Sequence, residues 1–408
     1  MESISASLSG AERARCQRLI YGVVRHSGRL EGALRPRVAH LPRFETRAIL
    51  YLAGFELLEA GEGDPGRVAR IVHHAVEQAK TRASPAEARL VNAVARKLAE
   101  ALAAQRPPPE GAPLAELAEY YSHPDWLVRR WLGQFGPGPT RALLEWNQQP
   151  APVYARWRDA AATPSWLKPT LWRDFFEVEH GHGEELEALL TAGQAYVQDP
   201  ATRLAPELLA PGRGEAMLDA CAAPGGKALL IADTMESGLV VALDLPGERQ
   251  GRLRENAAKA RGSRVVCAEG DIRQPPARWR ADSPLPESFA GVLLDAPCTN
   301  TGVMRHRVDV KWRLRESDFG RHAGQQLALL EAAAGRVAPG GRLVYSTCSI
   351  DPQENEDVVA AFLGGRGKSF RLEAERLARP WTDGHDGAAV FRLRNPAESA
   401  RGNERAPS

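Results

Sequence analysis

Ala216-Met-Leu-Asp-Ala-Cys-Ala-Ala-Pro-Gly-Gly-Lys227 runs from a short apolar segment through an aspartate into a loop of small residues. Two adjacent glycines, Gly225 and Gly226, let a backbone turn sharply and approach a ligand with no Cβ in the way. The loop is not the G-x-G-x-x-G dinucleotide fingerprint, and a Gly-Gly pair alone marks only a turn. Its surroundings give it weight. Further short apolar runs follow at residues 239–244, 264–267, 291–295 and 342–346, separated by helical stretches. Strand alternating with helix predicts a mostly parallel sheet, which binds ligands at the carboxyl ends of its strands.

Chemically suggestive residues fall at those ends. Asp244 lies 25 residues after Asp219, at the end of the second run, where a carboxylate can accept hydrogen bonds from both hydroxyls of a ribose. Asp271, in Glu-Gly-Asp after the third run, is placed to hold an adenine amino group, and Asp295, ending the fourth, to face the reacting centre. Any one of these aspartates alone reads as a helix cap. As an ordered set they suit a nucleoside ligand carrying a positive charge.

The rest of the chain bounds the problem. A length of 408 residues predicts two or three domains, and 43% hydrophobic with 25% charged residues excludes a disordered or fibrous chain. The net charge of +2 does not announce nucleic-acid binding. The first fifty residues, however, carry nine Arg against four Glu, which suits either steering of a phosphate backbone or a solvated helix face. Five cysteines without a C-x-x-C pair argue against a disulfide framework and a zinc ribbon, so no metal is expected. Free thiols point to a reducing, cytoplasmic setting. With neither an apolar leader nor an apolar run of eighteen residues, no membrane partner is expected, and a monomer is the expected form.

The first hundred residues read as amphipathic helices. Ser9 with Glu12 makes a capping box ahead of Cys16, Leu19, Ile20, Val23 and Val24, and Ser84-Pro85 with Glu87 opens a second clear helix. Residues 44–58 and 68–79 share the period. Arg106-Pro-Pro-Pro-Glu-Gly-Ala-Pro113 breaks it, since proline cannot continue a helix. Two short helices are expected over 125–135 and 140–146, with an extended stretch over 150–158. The expected fold is multidomain, α and α/β: a helical domain over 1–137, a connecting α/β subdomain over 138–210, a Rossmann-like domain over 211–395 and a flexible tail over 396–408.

Two cysteines stand just past strand ends, Cys298 in Asp-Ala-Pro-Cys and Cys348 in Ser-Thr-Cys-Ser. A lone cysteine is usually a small buried hydrophobe, the reading given to Cys16 and Cys267, and Cys221 is read as lining the loop. Taken in order, Cys-Ala-Ala-Pro-Gly-Gly-Lys, Asp-Ala-Pro-Cys and Tyr-Ser-Thr-Cys-Ser resemble the RsmB/NOP (NSUN) family of RNA cytosine-C5 methyltransferases. The helical first part is similar to the NusB-like RNA-binding domain of the bacterial branch.

The resemblance implies S-adenosyl-L-methionine as cofactor and RNA as partner, most specifically small-subunit (16S) ribosomal RNA. It implies cofactor contacts from Cys221, Ala222, Ala223, Pro224, Gly225, Gly226, Lys227, Asp244, Arg249, Asp271 and Asp295. It makes Cys348 the nucleophile at cytosine C6, Cys298 the thiol that helps the product leave, and Asp295 the acid beside N3. Lys311, Arg305 and Arg307 would neutralise RNA phosphates, and Trp312 would either stack on a base or sit in the core. DNA cytosine methyltransferases use a Pro-Cys cysteine as nucleophile, so the reverse assignment stays open. So do a transfer-RNA or other ribosomal target and a non-catalytic assembly factor. A methyltransferase of exocyclic amines would need no thiol, and its Asn/Asp-Pro-Pro-aromatic signature is absent.

Three stretches depart from the family pattern. The first NusB-like helix is expected to be shortened, Tyr154-Ala-Arg-Trp-Arg158 replaces Arg-x-Asn, and Ala388-Ala389 replace paired aromatics.

Overall fold

A computed structural model describes residues 8–61 and 64–397. The chain divides into two compact units, one of residues 1–150 with 304–313, the other of 151–303 with 314–408. The tail expected from 396 lies outside the described residues beyond position 397.

In the first unit, eight helices precede residue 150: α1 (Gly10–Arg25), α2 (Ser27–Leu34), α3 (Phe44–Ala60), α4 (Pro65–Arg82), α5 (Pro85–Ala104), α6 (Leu114–Tyr120), α7 (Asp125–Phe135) and α8 (Pro137–Gln148). Their starts follow local chemistry. The Ser9 hydroxyl accepts from the Glu12 amide while the Glu12 carboxylate accepts from the Ser9 amide, the reciprocal pair expected of the capping box. Ser84 likewise accepts from the Glu87 amide ahead of α5. The core gathers Leu30, Leu34, Leu50, Ala53, Val91 and Leu98, and each buried leucine stabilises it by about 2 kcal/mol.

The apolar face expected on α1 is only partly covered. Ile20 stays 40% exposed, while Gly22 and Arg25 are buried. Gly22 sits under the Phe55 ring, where an added Cβ would lie 2.1 Å from Cζ. The end of α1 also holds residues 304–313: Arg25 donates to the Arg305 carbonyl at 3.1 Å, Lys311 Nζ to the Arg25 carbonyl at 2.8 Å, and the Trp312 indole to the Val24 carbonyl at 2.9 Å.

The second unit opens with a small antiparallel sheet of β1 (Tyr154–Trp157), β2 (Leu167–Pro169), β3 (Phe175–Val178) and β4 (Ala195–Val197), in the order β2-β3-β1-β4, with α9 (Gly183–Thr191) before β4. Next come α10 (Leu204–Leu209), β5 (Ala216–Ala220), α11 (Gly226–Thr234), β6 (Leu239–Asp244), α12 (Arg249–Ala257), β7 (Arg264–Glu269), β8 (Arg280–Ala281) and β9 (Phe289–Asp295). After α13 (Val310–Arg313), which belongs to the first unit, the chain adds α14 (Ser317–Ala334), β10 (Val337–Thr347), α15 (Glu356–Gly364), β11 (Arg371–Ala378), α16 (Pro380–Asp383) and β12 (Ala388–Arg394).

The eight-stranded sheet runs β11-β12-β10-β9-β5-β6-β7-β8, parallel from β10 to β7. Successive residues alternate between two cores: Leu218, Val241, Val292 and Tyr345 on one face, Met217, Val240, Leu293 and Val344 on the other. Burial of both faces explains why these strands read as continuous apolar runs. Strand order reverses at β5 and β9, and ligands of doubly wound sheets bind at such a switch point. Ala389, one of the two departures from the family pattern on β12, pairs with Thr347 at the end of β10.

Candidate active site

The loop after β5 is fixed from several sides. The Ala222 amide donates to the Leu243 carbonyl at 2.9 Å, and the Ala223 amide to Asp244 Oδ2 at 2.8 Å. Arg249 hydrogen-bonds the Ala223 carbonyl and lies 3.5 Å from Asp244 Oδ2. Gly225 adopts φ +107°, the left-handed region that glycine enters freely. An added Cβ on Gly226 would meet the Tyr196 ring at 2.9 Å.

Beside the loop lies a cavity of about 220 Å³, lined by Tyr196, Val197, Gln198, Thr202, Asp219, Cys221, Ala222, Ala223, Pro224, Gly226, Lys227 and Asp295. The small sheet frames one side through Tyr196 and Gln198. That sheet is tied to α11 by Arg156 and Arg158, whose guanidinium groups reach Asp233 at 2.9 and 2.7 Å. Both arginines belong to the stretch that departs from the family pattern.

Charge in the cavity is unbalanced. Asp219 is fully buried, neither carboxylate oxygen makes a hydrogen bond of good geometry, and only weak relief comes from the Ala228 amide. Burial, reinforced by the charge of Asp295, pushes its carboxyl up to about 8. Lys227 Nζ bonds Asp295 Oδ2 at 2.7 Å. Burial disfavours its ammonium, but the charges of Asp295 and Asp219 outweigh burial and raise its affinity for the proton. The Cys221 thiol is pushed up to about 12 by burial and then by Asp244, which makes it inert at neutral pH.

The cavity therefore fits S-adenosyl-L-methionine: an orphaned buried carboxylate calls for a cation, which the amino group of the methionine part supplies. Asp219, the loop 221–227 and Asp295 are the residues that would hold it.

The two expected thiols meet. Cys298 and Cys348 have their Sγ atoms 3.2 Å apart, because β9 and β10 pair in parallel and set Ser346 beside Asp295. Cys298 is buried and Cys348 half-buried. The hydrogen bond to Cys348, followed by burial, holds the Cys298 proton well above the usual thiol range. Cys348 Sγ also donates to Asn300 Oδ1 at 3.4 Å. The loops carrying the thiols are stitched by Gly302 N to the Cys348 carbonyl at 2.9 Å and by Thr301 Oγ1 to Ser349 Oγ at 2.9 Å.

Other expected residues lie elsewhere. Asp244 and Asp271 do not line the cavity, and Asp271 is held by Arg273, which also lowers its carboxyl. Cys16 and Cys267 are half-buried rather than buried. Lys311 is 1% exposed, turned inward onto a carbonyl, and burial drives its ammonium well below the usual range. Arg305 stacks on Trp146 at 4.1 Å, Arg307 is exposed, and Trp312 is 39% exposed with its indole N–H satisfied. Tyr196, Thr202 and Asn300 carried no motif by which the sequence singled them out.

Comparison with known proteins accounts for both units. The 16S rRNA methyltransferase RsmB/F family matches residues 206–386, and the NusB family matches residues 2–100. Ribosomal RNA small subunit methyltransferase B of Vibrio cholerae serotype O1 is 34% identical over 90% of this chain and 85% of its own length. The protein of the same name from Erwinia tasmaniensis is 31% identical over 95% of this chain and 91% of its own. The crystal structure of PH0851 superposes with a TM-score of 0.75 at 24% identity, over 95% of this chain and 91% of that one, a likeness of fold alone. The chain belongs to the RsmB/F family of S-adenosylmethionine-dependent ribosomal RNA methyltransferases, with a NusB-family domain preceding the catalytic unit.

Proposed function

We propose that this protein methylates carbon 5 of a cytosine in small-subunit ribosomal RNA through a covalent adduct on Cys348. The observation that carries the proposal is the pair of thiols 3.2 Å apart, one half-buried and the other buried and held protonated, beside the Lys227–Asp295 pair. Carbon 5 of cytosine is a weak nucleophile until a thiolate adds at carbon 6 and breaks the ring's aromaticity. The more accessible sulfur, Cys348, makes that bond, and Asp295 is the group assigned to hydrogen-bond N3 of the ring as the addition proceeds. S-adenosyl-L-methionine supplies an electrophilic methyl group on its sulfonium. Once carbon 5 carries the methyl, its proton leaves, the C6–S bond breaks and Cys348 returns as thiolate. Cys298 is assigned to this release: its thiol hydrogen-bonds the departing Cys348 sulfur while the carbon 5 proton passes to water.

RNA as substrate follows from the family and from the names of the relatives above, and the target base must leave its stack to reach such a pocket. Exposed Arg307 and the arginine-rich first helices are assigned to backbone phosphate. Nucleoside mapping of small-subunit RNA incubated with the protein and labelled cofactor tests the proposal. One 5-methylcytosine, lost in Cys348→Ala, is expected; methylation of an exocyclic amine, or undiminished activity in Cys348→Ala, would overturn it.

A further inference from the structure

We infer that Glu354 is a positioning residue that fixes Cys298, and thereby governs release of the methylated RNA rather than formation of the adduct. This inference rests on the roles proposed above for the two thiols. Glu354 follows Cys348 by six residues, is fully buried, and has no lysine or arginine partner among the described residues. All its partners are neutral. Oε1 accepts from the Thr299 amide at 2.9 Å and from Gln326 Nε2 at 3.0 Å, while Oε2 accepts from the Thr299 hydroxyl. Gln326 Nε2 also donates to the Pro297 carbonyl at 2.9 Å. Pro297 and Thr299 are the two neighbours of Cys298, so one carboxylate and one amide clamp that cysteine from both sides.

Burying a carboxyl group this deeply is an expensive way to build a core, and apolar residues would do it at lower cost. What the carboxylate supplies is geometry, because it accepts from three donors at once and so pins the Cys298 loop. The loop of Cys348 has a further clamp of its own. That loop is held by Asn355, whose Oδ1 accepts from Thr347 Oγ1 at 2.6 Å and whose Nδ2 donates to the Ser349 carbonyl at 3.0 Å. Loss of the carboxylate therefore loosens Cys298 most, while Asn355 still holds the Cys348 loop.

Glu354→Met tests this, since it removes all three acceptor contacts with a side chain of similar length. Single-turnover methyl transfer is expected to stay within about threefold of the parent protein, while multiple-turnover kcat falls about tenfold or more. A protein–RNA adduct resistant to denaturant should accumulate. Thr299→Val, which removes the hydroxyl contacts to Glu354 and to Ser349 Oγ but keeps the amide contact, should give a smaller effect of the same pattern and provides the test if Glu354→Met does not fold. Parallel loss of both rates without adduct, or no change in either variant, would overturn the inference. Cys298→Ala is the reference: if it traps no adduct, the roles proposed for the thiols fail, whereas adduct in Cys298→Ala but not in the Glu354 and Thr299 variants removes only the role of Glu354.

Discussion

Binding of S-adenosyl-L-methionine at neutral pH should release a proton from Asp219. The apo carboxyl titrates near 8, against an ordinary value of 3.8, so at pH 7 about nine-tenths of the molecules carry the proton there. A cationic amino group beside it favours the carboxylate, and close to one proton should then leave per cofactor bound. The linkage has a defined sign. Because the folded chain holds this proton more tightly than the unfolded chain, Asp219 favours the fold at acid pH, and that contribution is lost as pH rises from about 4 through about 8. Apo stability should therefore fall over that window, and cofactor should restore more of it at pH 8 than at pH 6. Calorimetric titration in buffers of different ionisation enthalpy reads the proton count directly. About 0.9 proton at pH 7, falling to about half at pH 8 and absent in Asp219→Asn, is expected; tight binding at pH 7 with no proton released would refute the assignment of Asp219 as the partner of the ammonium group.

Arg158→Ala should destabilise the second unit by about 3 kcal/mol, because the 1% exposed guanidinium is bonded to both oxygens of Asp233 and to two carbonyls. The denaturant midpoint should drop with little change in slope, and a shift below about 0.5 kcal/mol would contradict a buried anchor. Gly302→Ala places a Cβ 2.7 Å from the carbonyl oxygens of both Cys348 and Gly387, backbone atoms that cannot swing away. Turnover should fall at least about tenfold as the Cys348 loop is displaced, while cofactor affinity is largely kept. Equal losses of both would instead indicate a general failure to fold.

The parallel sheet was legible because its strands are buried on both faces and therefore read as apolar runs of the right length. The limits were less so. β10 begins five residues before the run that marks it, since Gly340-Gly341 interrupts the pattern where the register to β9 shifts. Of the four-stranded sheet only the extended stretch that holds β1 was legible, because strands of three or four residues show no period. Residues 304–313 join the helical unit through contacts spanning some 280 positions, and no local signal carries such information.

Lys311 illustrates the same limit at a single side chain. A lysine in a basic stretch reads as solvated, yet here a backbone carbonyl at the end of α1 captures it. In the candidate site, the position of both thiols at strand ends was readable. Their 3.2 Å separation, and the cavity walls given by Tyr196 and Thr202, come from packing that no motif encodes.

The central claim is that the sulfur of residue 348 bonds to the cytosine ring. RNA made with 5-fluorocytosine, whose carbon 5 has no proton to lose, should stall the cycle after methyl transfer and leave protein and RNA joined. Peptide mapping of that adduct by mass spectrometry is expected to find the modified nucleotide on Cys348. Finding it on Cys298, or finding no adduct while ordinary RNA is methylated, would contradict the account.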